Sequence, residues 1–371
     1  MVQQTGQVEF APTYSSETGF AARQFLIWLG ALVVLSFFLW LGYDYLSRAK
    51  TANLLNAGVA ILWGVGGVAA LYGVVNNIIE SLPGRIRDIL RPMLFFLPGV
   101  AILFLFLTIP TLITLYQSFF NRDSSQFVGL DNYIATFTDR SMLESFRNNV
   151  IWLFVGTTLT VVLGLLIAVL SDRSRFETIA KAIIFMPMAI SLVGSSVIWR
   201  FMYAYAPAGQ PQIGLQNGVI TSLGGEPQAW LTLQPWNNLF LILVMVWGQT
   251  GFGMVLFSAA LKGVPTELLE AAKLDGATEI QAFFRIIIPY IQGTILTVTT
   301  TTAIATLKIF DVVYVMTGGN YGTSVVGTEF YRQFFTNSNF GFGAAIAIVL
   351  FILISPVLVY NLRQFRHQEG F

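Results

Sequence analysis

KGVPTELLEAAKLDGATEIQAFFRIIIP, from Lys262 to Pro289, is a charge-flecked stretch set between two long apolar runs. Pro265 suits the opening turn of a helix, where its missing N–H has no intrahelical partner to lose. From Thr266 to Asp275, Leu268, Leu269, Ala271 and Ala272 are spaced among Glu267, Glu270 and Lys273, and Gly276 supplies a positive-φ stop. Thr278 and Gln281 have the spacing of a capping box. They open a second short helix through Phe283, Phe284 and Ile287, which Pro289 ends. The expected local structure is a two-helix elbow lying at a membrane face, with apolar anchors among acids.

Outward from the elbow the chain is mostly apolar. Of 371 residues 55% are hydrophobic and 11% charged, where a soluble domain carries about 25% charged residues. A bilayer-spanning helix needs about 20 predominantly apolar residues. Eight such runs are present: Phe25–Leu46, Leu54–Ile79, Met93–Gln117, Asn148–Leu170, Ile183–Tyr203, Asn238–Ala260, Ile291–Val313 and Gly343–Leu362. No gap between them holds a large soluble domain. The expected fold is therefore an all-α integral membrane protein with eight transmembrane helices. Residues 1–24 lack the basic segment of a cleavable signal and read as a cytoplasmic N-terminal tail ahead of an uncleaved anchor.

Orientation follows Lys and Arg. With the N-terminus inside, twelve fall in cytoplasmic segments and six outside, with Arg200 and Lys308 within spans. Both termini are thus expected in the cytoplasm, although Arg48 and Lys50 in the first hairpin run against the trend. Small residues recur at four-residue spacing, as in Ala60 with Gly64 and Gly164 with Ala168, which suits close helix approach within the bundle or at a subunit contact.

Composition also removes functions. The net charge of +1 gives no reason to expect a nucleic-acid partner. There is no Cys and one His, His367, so no metal cluster, serine–histidine dyad or other catalytic residue is nominated. No Gly-Lys dipeptide occurs, so the phosphate-cradling loop of ATPases is absent and the chain is not expected to hydrolyse ATP.

Several motifs together carry a resemblance. Glu270-Ala271-Ala272, then Gly276, Ile287 and Pro289, resemble the EAA loop of binding-protein-dependent ABC importer permeases. Gly263-Val264-Pro265, Asp275-Gly276-Ala277, Phe127 to Tyr133 (FVGLDNY), and Phe310-Asp311-Val312-Val313-Tyr314 leading to Thr317-Gly318-Gly319 resemble the carbohydrate subfamily typified by MalF. The similarity runs from about Arg91 to Arg363. Asn320 departs from the Pro usual in the subfamily, and Ser118 to Arg147 is far shorter than the periplasmic domain of MalF itself. The resemblance implies a partition into two accessory helices (25–90) and a permease core of six helices (91–371) containing the coupling loop 262–289. It implies a bacterial inner-membrane location and four kinds of partner: a second, MalG-like permease, two copies of an ATP-binding subunit, an extracytoplasmic solute-binding protein and the bilayer. ATP and Mg would be bound by the ATPase, and this chain would carry no cofactor. Glu270, Ala271, Ala272, Asp275, Gly276 and Pro289 would couple to that ATPase. The substrate would be a sugar or glycoside, such as a disaccharide or a glucosylglycerol-type compatible solute.

Polar residues inside the spans are the candidates for a substrate path. Ionisable groups at mid-bilayer are costly, so Lys308 and Asp311, three residues apart in the seventh run, need partners. Either they pair with each other, or Lys308 or Thr306 lines the path beside Thr301 and Thr302. Gln249 and Thr250 lie in the glycine-rich Trp247–Gly253, where irregular backbone would have to face protein or water. Trp199 and Tyr203 could stack on a sugar ring or anchor at the interface. An ion-coupled secondary transporter or channel is the alternative. It would usually show more intramembrane acids or two matching halves, and gives the elbow no role.

Overall fold

The computed structural model describes residues 21–48 and 54–368. The expected tail, apart from residues 21–24, and Lys50 lie outside the described residues. No β-strand occurs among those described, only an isolated bridge between Phe120 and Phe127. Six helices are long and apolar enough to cross a membrane, and two bent helix pairs raise the number to eight if each pair is one span.

The chain divides into two compact units, Met1–Thr111 and Leu112–Phe371. The boundary falls within the third long helix, later in the chain than the 90/91 partition. The first unit holds α1 (Ala22–Arg48), α2 (Leu54–Glu80) and most of α3 (Gly84–Gln117). Trp63 Nε1 donates to the Leu39 carbonyl across 2.9 Å, and the Tyr72 and Phe95 rings meet at 5.7 Å. The small pair Ala60 and Gly64 is not packed within this unit: Ala60 is exposed, and a Cβ at Gly64 would meet nothing within 4 Å.

The second unit is built around α4 (Arg140–Asp172) and α7 (Asn237–Lys262). Gly164 on α4 lies against the α7 backbone, where an added Cβ would sit 3.2 Å from Gly253 C and Met254 N. Ala168 packs with Met254, Phe257 and Val298. This small-residue pair therefore serves packing within the bundle. Trp152, Leu241, Ile242, Val244, Met245 and Val312 form the largest buried apolar cluster.

Two of the expected spans are not continuous. The fifth consists of α5 (Glu177–Phe185), a tight turn at Met186–Ala189 and α6 (Leu192–Met202), with a bend of 102°. Pro187 sits in that turn, and Ser191 caps α6 by accepting from Gly194 N at 3.1 Å. The seventh begins after a 69° break at Ile291, runs as α10 (Gln292–Leu307), and restarts as α11 (Asp311–Thr317). Asn149 from α4 donates to the Leu307 carbonyl at 3.2 Å, which satisfies a group the ended helix leaves unpaired. The three-residue spacing of Lys308 and Asp311, which on a continuous helix would put them on one face, does not do so here: a non-helical Phe310 (φ −142°) separates them. No ion pair joins them among the described residues. The last helix, α12, spans Phe340–Gln368.

Candidate functional site

The elbow forms from its own local signals. α8 (Thr266–Leu274) follows Pro265, and Gly276 takes φ +77°. Gly276 N donates to Lys273 O at 3.1 Å and Ala277 N to Ala272 O at 2.9 Å, closing carbonyls the helix end leaves open. Thr278 and Gln281 make the reciprocal capping box that opens α9 (Glu279–Tyr290). Tyr290 OH donates to the Gly263 carbonyl at 3.1 Å and ties the two ends of the elbow together.

Its sides differ in chemistry. Ala272 and Val264 are buried. Glu267, Glu270, Ala271, Asp275 and Pro289 are exposed, and between them stand Leu274 (90% exposed), Ile280 and Phe284. Large apolar side chains at such exposure beside unpaired carboxylates are what an absent protein partner would cover. Arg173, just past the end of α4, reaches Glu279 at 3.0 Å, with both side chains largely in solvent, so the pair is worth at most about 1 kcal/mol.

A second cluster holds the base of the elbow. Lys181 on α5 contacts Asp172 Oδ1 of α4 and Glu177 Oε1 of α5, each at 2.5 Å, and also Ser258 Oγ of α7. Ser258 donates to Asp172 at 2.8 Å. Lys262, the last residue of α7, pairs with Glu177. These five side chains clasp the ends of three helices where the elbow begins. Asp172 Oδ2 is buried with no hydrogen-bond partner. Sequence reasoning nominated none of the five; the i,i+4 spacing of Glu177 and Lys181 is the one local signal that could have.

The expected path residues separate into two groups. Thr250 and Thr306 are buried and bonded to their own helices, Thr250 to Val246 O at 2.6 Å and Thr306 to Thr302 O at 2.7 Å, with Met245 Sδ at 3.7 Å. Thr302 is buried beside them. Tyr203 is 2% exposed and donates to Phe240 O at 3.2 Å. Trp199 packs edge-on to Trp247 at 5.7 Å and against Tyr203 at 5.3 Å. Gln249 is half-buried and Lys308 exposed, and neither side chain has a hydrogen bond among the described residues. Gln249 and Lys308 are thus expected path residues whose polar ends remain open to a ligand or a neighbouring chain.

The opposite end of the bundle carries a polar network that sequence reasoning missed. Asn148 donates to Gly322 O and Ser324 O at 2.9 and 2.7 Å, and Asn149 Oδ1 accepts from Val326 N at 2.8 Å. Asn237 donates to Tyr321 O at 2.7 Å and Asn238 to Gly322 O at 3.2 Å. The held loop places Gly318, Gly319, Tyr321 and Gly322 in the left-handed region. Asn320 N donates to Thr317 O at 3.1 Å, a bond that the Pro usual at this place in the resembled subfamily could not make.

Comparisons with known proteins agree with this architecture. The chain is similar to the osmoprotective compounds uptake permease protein GgtC of Synechocystis sp., with 53% identity over 73% of this chain and 98% of that protein. It is 46% identical to the alpha-glucoside transport system permease protein AglF of Rhizobium meliloti, over 77% of this chain and 85% of the relative. Among solved structures, a chain of a bacterial ABC transporter involved in import of the acidic polysaccharide alginate aligns with a TM-score of 0.65 at 22% identity. That alignment covers 76% of this chain and 98% of that one. Residues 160–367 match the family model of the binding-protein-dependent transport system inner membrane component. This span takes in the end of α4, the clasp, the elbow and both broken spans, and the chain belongs to that family, as a membrane-spanning transport subunit whose ATPase is a separate subunit.

Proposed function

We propose that the chain forms one side of the translocation pathway of an ABC importer for a sugar or glycoside, with a disaccharide or glucosylglycerol-type compatible solute as the cargo. The observation that carries this reading is the exposed elbow: Leu274, Ile280 and Phe284 stand uncovered beside Glu267, Glu270 and Asp275. Such a surface fits an apolar cleft with basic groups on a cytoplasmic ATPase. Glu270 would face a cation there, with the exposed Ala271 allowing close approach, the buried Ala272 seating the helix on its own chain, Gly276 setting the elbow's angle and Pro289 standing in the last turn of its second arm. Two ATPase copies, closing on ATP and Mg, would move this elbow and its counterpart on a second permease, opening the path to one side at a time. Both termini would lie in the cytoplasm. The names of the relatives, an osmoprotectant permease and an alpha-glucoside permease, support the cargo class.

Cargo would arrive on an extracytoplasmic binding protein and pass Gln249 and Lys308, whose open polar groups can meet sugar hydroxyls. Thr250, Thr302 and Thr306 would shape the wall from behind, and Trp199 and Tyr203 would line its outer part. The test is purification of the assembled importer with Glu270→Lys, followed by uptake in proteoliposomes. The expected result is loss of the bound ATPase and of uptake. Normal uptake without bound ATPase would overturn the assignment.

A further inference from the structure

Asn237 and Asn238 begin α7, and the elbow follows its end at Lys262. At 26 residues the helix separates the two ends by about 38 Å. At the end away from the elbow lies a cavity of about 460 Å³ lined by Glu144, Arg147, Gln234, Asn237, Asn238 and Gly322, with Ile151 and Pro235. That volume is within the range of small-molecule sites.

The wall and the open groups are different residues. Asn237 and Asn238 spend their side-chain donors on Tyr321 O and Gly322 O. Asn238 Oδ1 accepts from Trp152 Nε1 at 3.4 Å, and Asn237 Oδ1 from Asn238 N at 3.0 Å. They make a stiff frame. Glu144, half-buried, has neither hydrogen bond nor ion pair among the described residues, and the Gln234 side chain has none. Arg147 makes one bond, to Asn148 Oδ1 at 3.3 Å.

Glu144 and Gln234 converge on the missing side chain of Gly322. A Cβ there would lie 3.1 Å from Gln234 Nε2 and 3.5 Å from Glu144 Oε1. The bare glycine lets an amide donor and a carboxylate acceptor close on the same point of the cavity wall. A hydroxyl of a solute in the cavity beside them can accept from Gln234 and donate to Glu144 at once. A cation would meet Arg147 and an anion Glu144, so the pocket's chemistry selects a neutral ligand rich in hydroxyls.

We propose that this pocket is an outer binding site for a neutral polyhydroxylated solute, which holds cargo before it reaches the mid-membrane path. The inference rests on the importer reading above and adds a second place of contact to it. Glu144 and Gln234 grip the solute, and the asparagine frame keeps them apart.

The test uses the assembled importer without its binding protein and measures equilibrium binding of radiolabelled sucrose, with radiolabelled urea as the uncharged control lacking hydroxyls. Glu144→Gln and Gln234→Ala are each expected to raise the sucrose Kd about tenfold, with basal ATP hydrolysis and subunit composition as in wild type and no urea binding in any form. Unchanged sucrose Kd in both variants overturns the proposal. So does a loss of binding-protein affinity with sucrose binding intact, which would assign the pocket to a protein side chain. If wild-type importer, with its binding protein, takes up none of sucrose, trehalose and glucosylglycerol, the cargo reading itself fails and the outer site with it. Wild-type uptake with unaltered variant Kd sinks the outer site alone.

Discussion

Gly251→Ala tests the contact that joins α7 to the broken fifth span. A Cβ at Gly251 would sit 2.7 Å from Ile184 O and 2.8 Å from Phe185 Cα, both backbone atoms at the end of α5. Backbone at a kink cannot rotate aside as a side-chain tip can, so the helices must part, and overpacking of this kind costs about 1–3 kcal/mol. Gly248→Ala, three residues earlier on the same helix, is the control: its Cβ would meet only Leu192 Cδ2, at 4.0 Å. There the substitution should be neutral or stabilise by up to about 1 kcal/mol, the helix preference of Ala over Gly. Both variants share that helix preference, so they should differ by the overpacking cost alone, about 1–3 kcal/mol. Equilibrium unfolding in mixed micelles, followed by the fluorescence of the eight Trp, reads the difference. Equal stability of the two variants would refute the close approach of α7 to α5, and with it the geometry by which the clasp is held.

Other consequences can be checked with the same material. Lys181→Met removes the more buried cation of the clasp, whose Lys181 and Asp172 side chains are 19% and 15% exposed; the expected loss is about 3 kcal/mol, the low end for breaking a buried pair. Lys262→Met, at 57% exposure, should cost less than about 1 kcal/mol in the same unfolding measurement. Gly276→Ala meets nothing within 4 Å but must adopt φ +77°, at about 1–2 kcal/mol. The strain is confined to the elbow, so limited proteolysis there should accelerate while global unfolding of the bundle is unchanged. The Asp139 carboxyl, which caps α4, is held below the usual carboxylate range by bonds from the Ser141 hydroxyl, opposed by desolvation and aided by the Ser141 and Met142 N–H groups. A lowered pKa means its contribution is full above the unfolded value of about 4 and fades as pH falls through the folded one. Protection of the Ser141 and Met142 amides, corrected for their intrinsic exchange rates, should therefore fall below that pH in wild type but not in Asp139→Asn, where the cap persists.

The elbow was legible because each of its features is local. Gly276 and the Thr278–Gln281 pair act within five residues of themselves, and the structure has both. The apolar runs were legible for the same reason, since any 20-residue window reveals them. The breaks in the fifth and seventh spans were not. Hydropathy passes smoothly through Met186 to Ile190, so only Pro187 marked the turn there. No Pro or Gly marks Lys308 to Phe310. The break there depends on Asn149, which takes the Leu307 carbonyl from 158 residues away, and no periodicity records such a partner. The pairing of Asp172 and Ser258 with Lys181, and the convergence of Glu144 and Gln234 on Gly322, are likewise products of tertiary packing. Thr250 and Thr306 looked free in a one-dimensional reading because a bond back to the preceding turn of the same helix is invisible there.

The central claim is that the elbow is a cytoplasmic handle gripped by a separate ATPase. The chain contains no Cys, so Leu274→Cys, at a position 90% exposed on the elbow, gives a single reporter. Membrane-impermeant maleimide should label it in inside-out vesicles, and bound ATPase subunits should protect it. Labelling only in right-side-out vesicles, or labelling that ATPase leaves unaltered, would contradict the account.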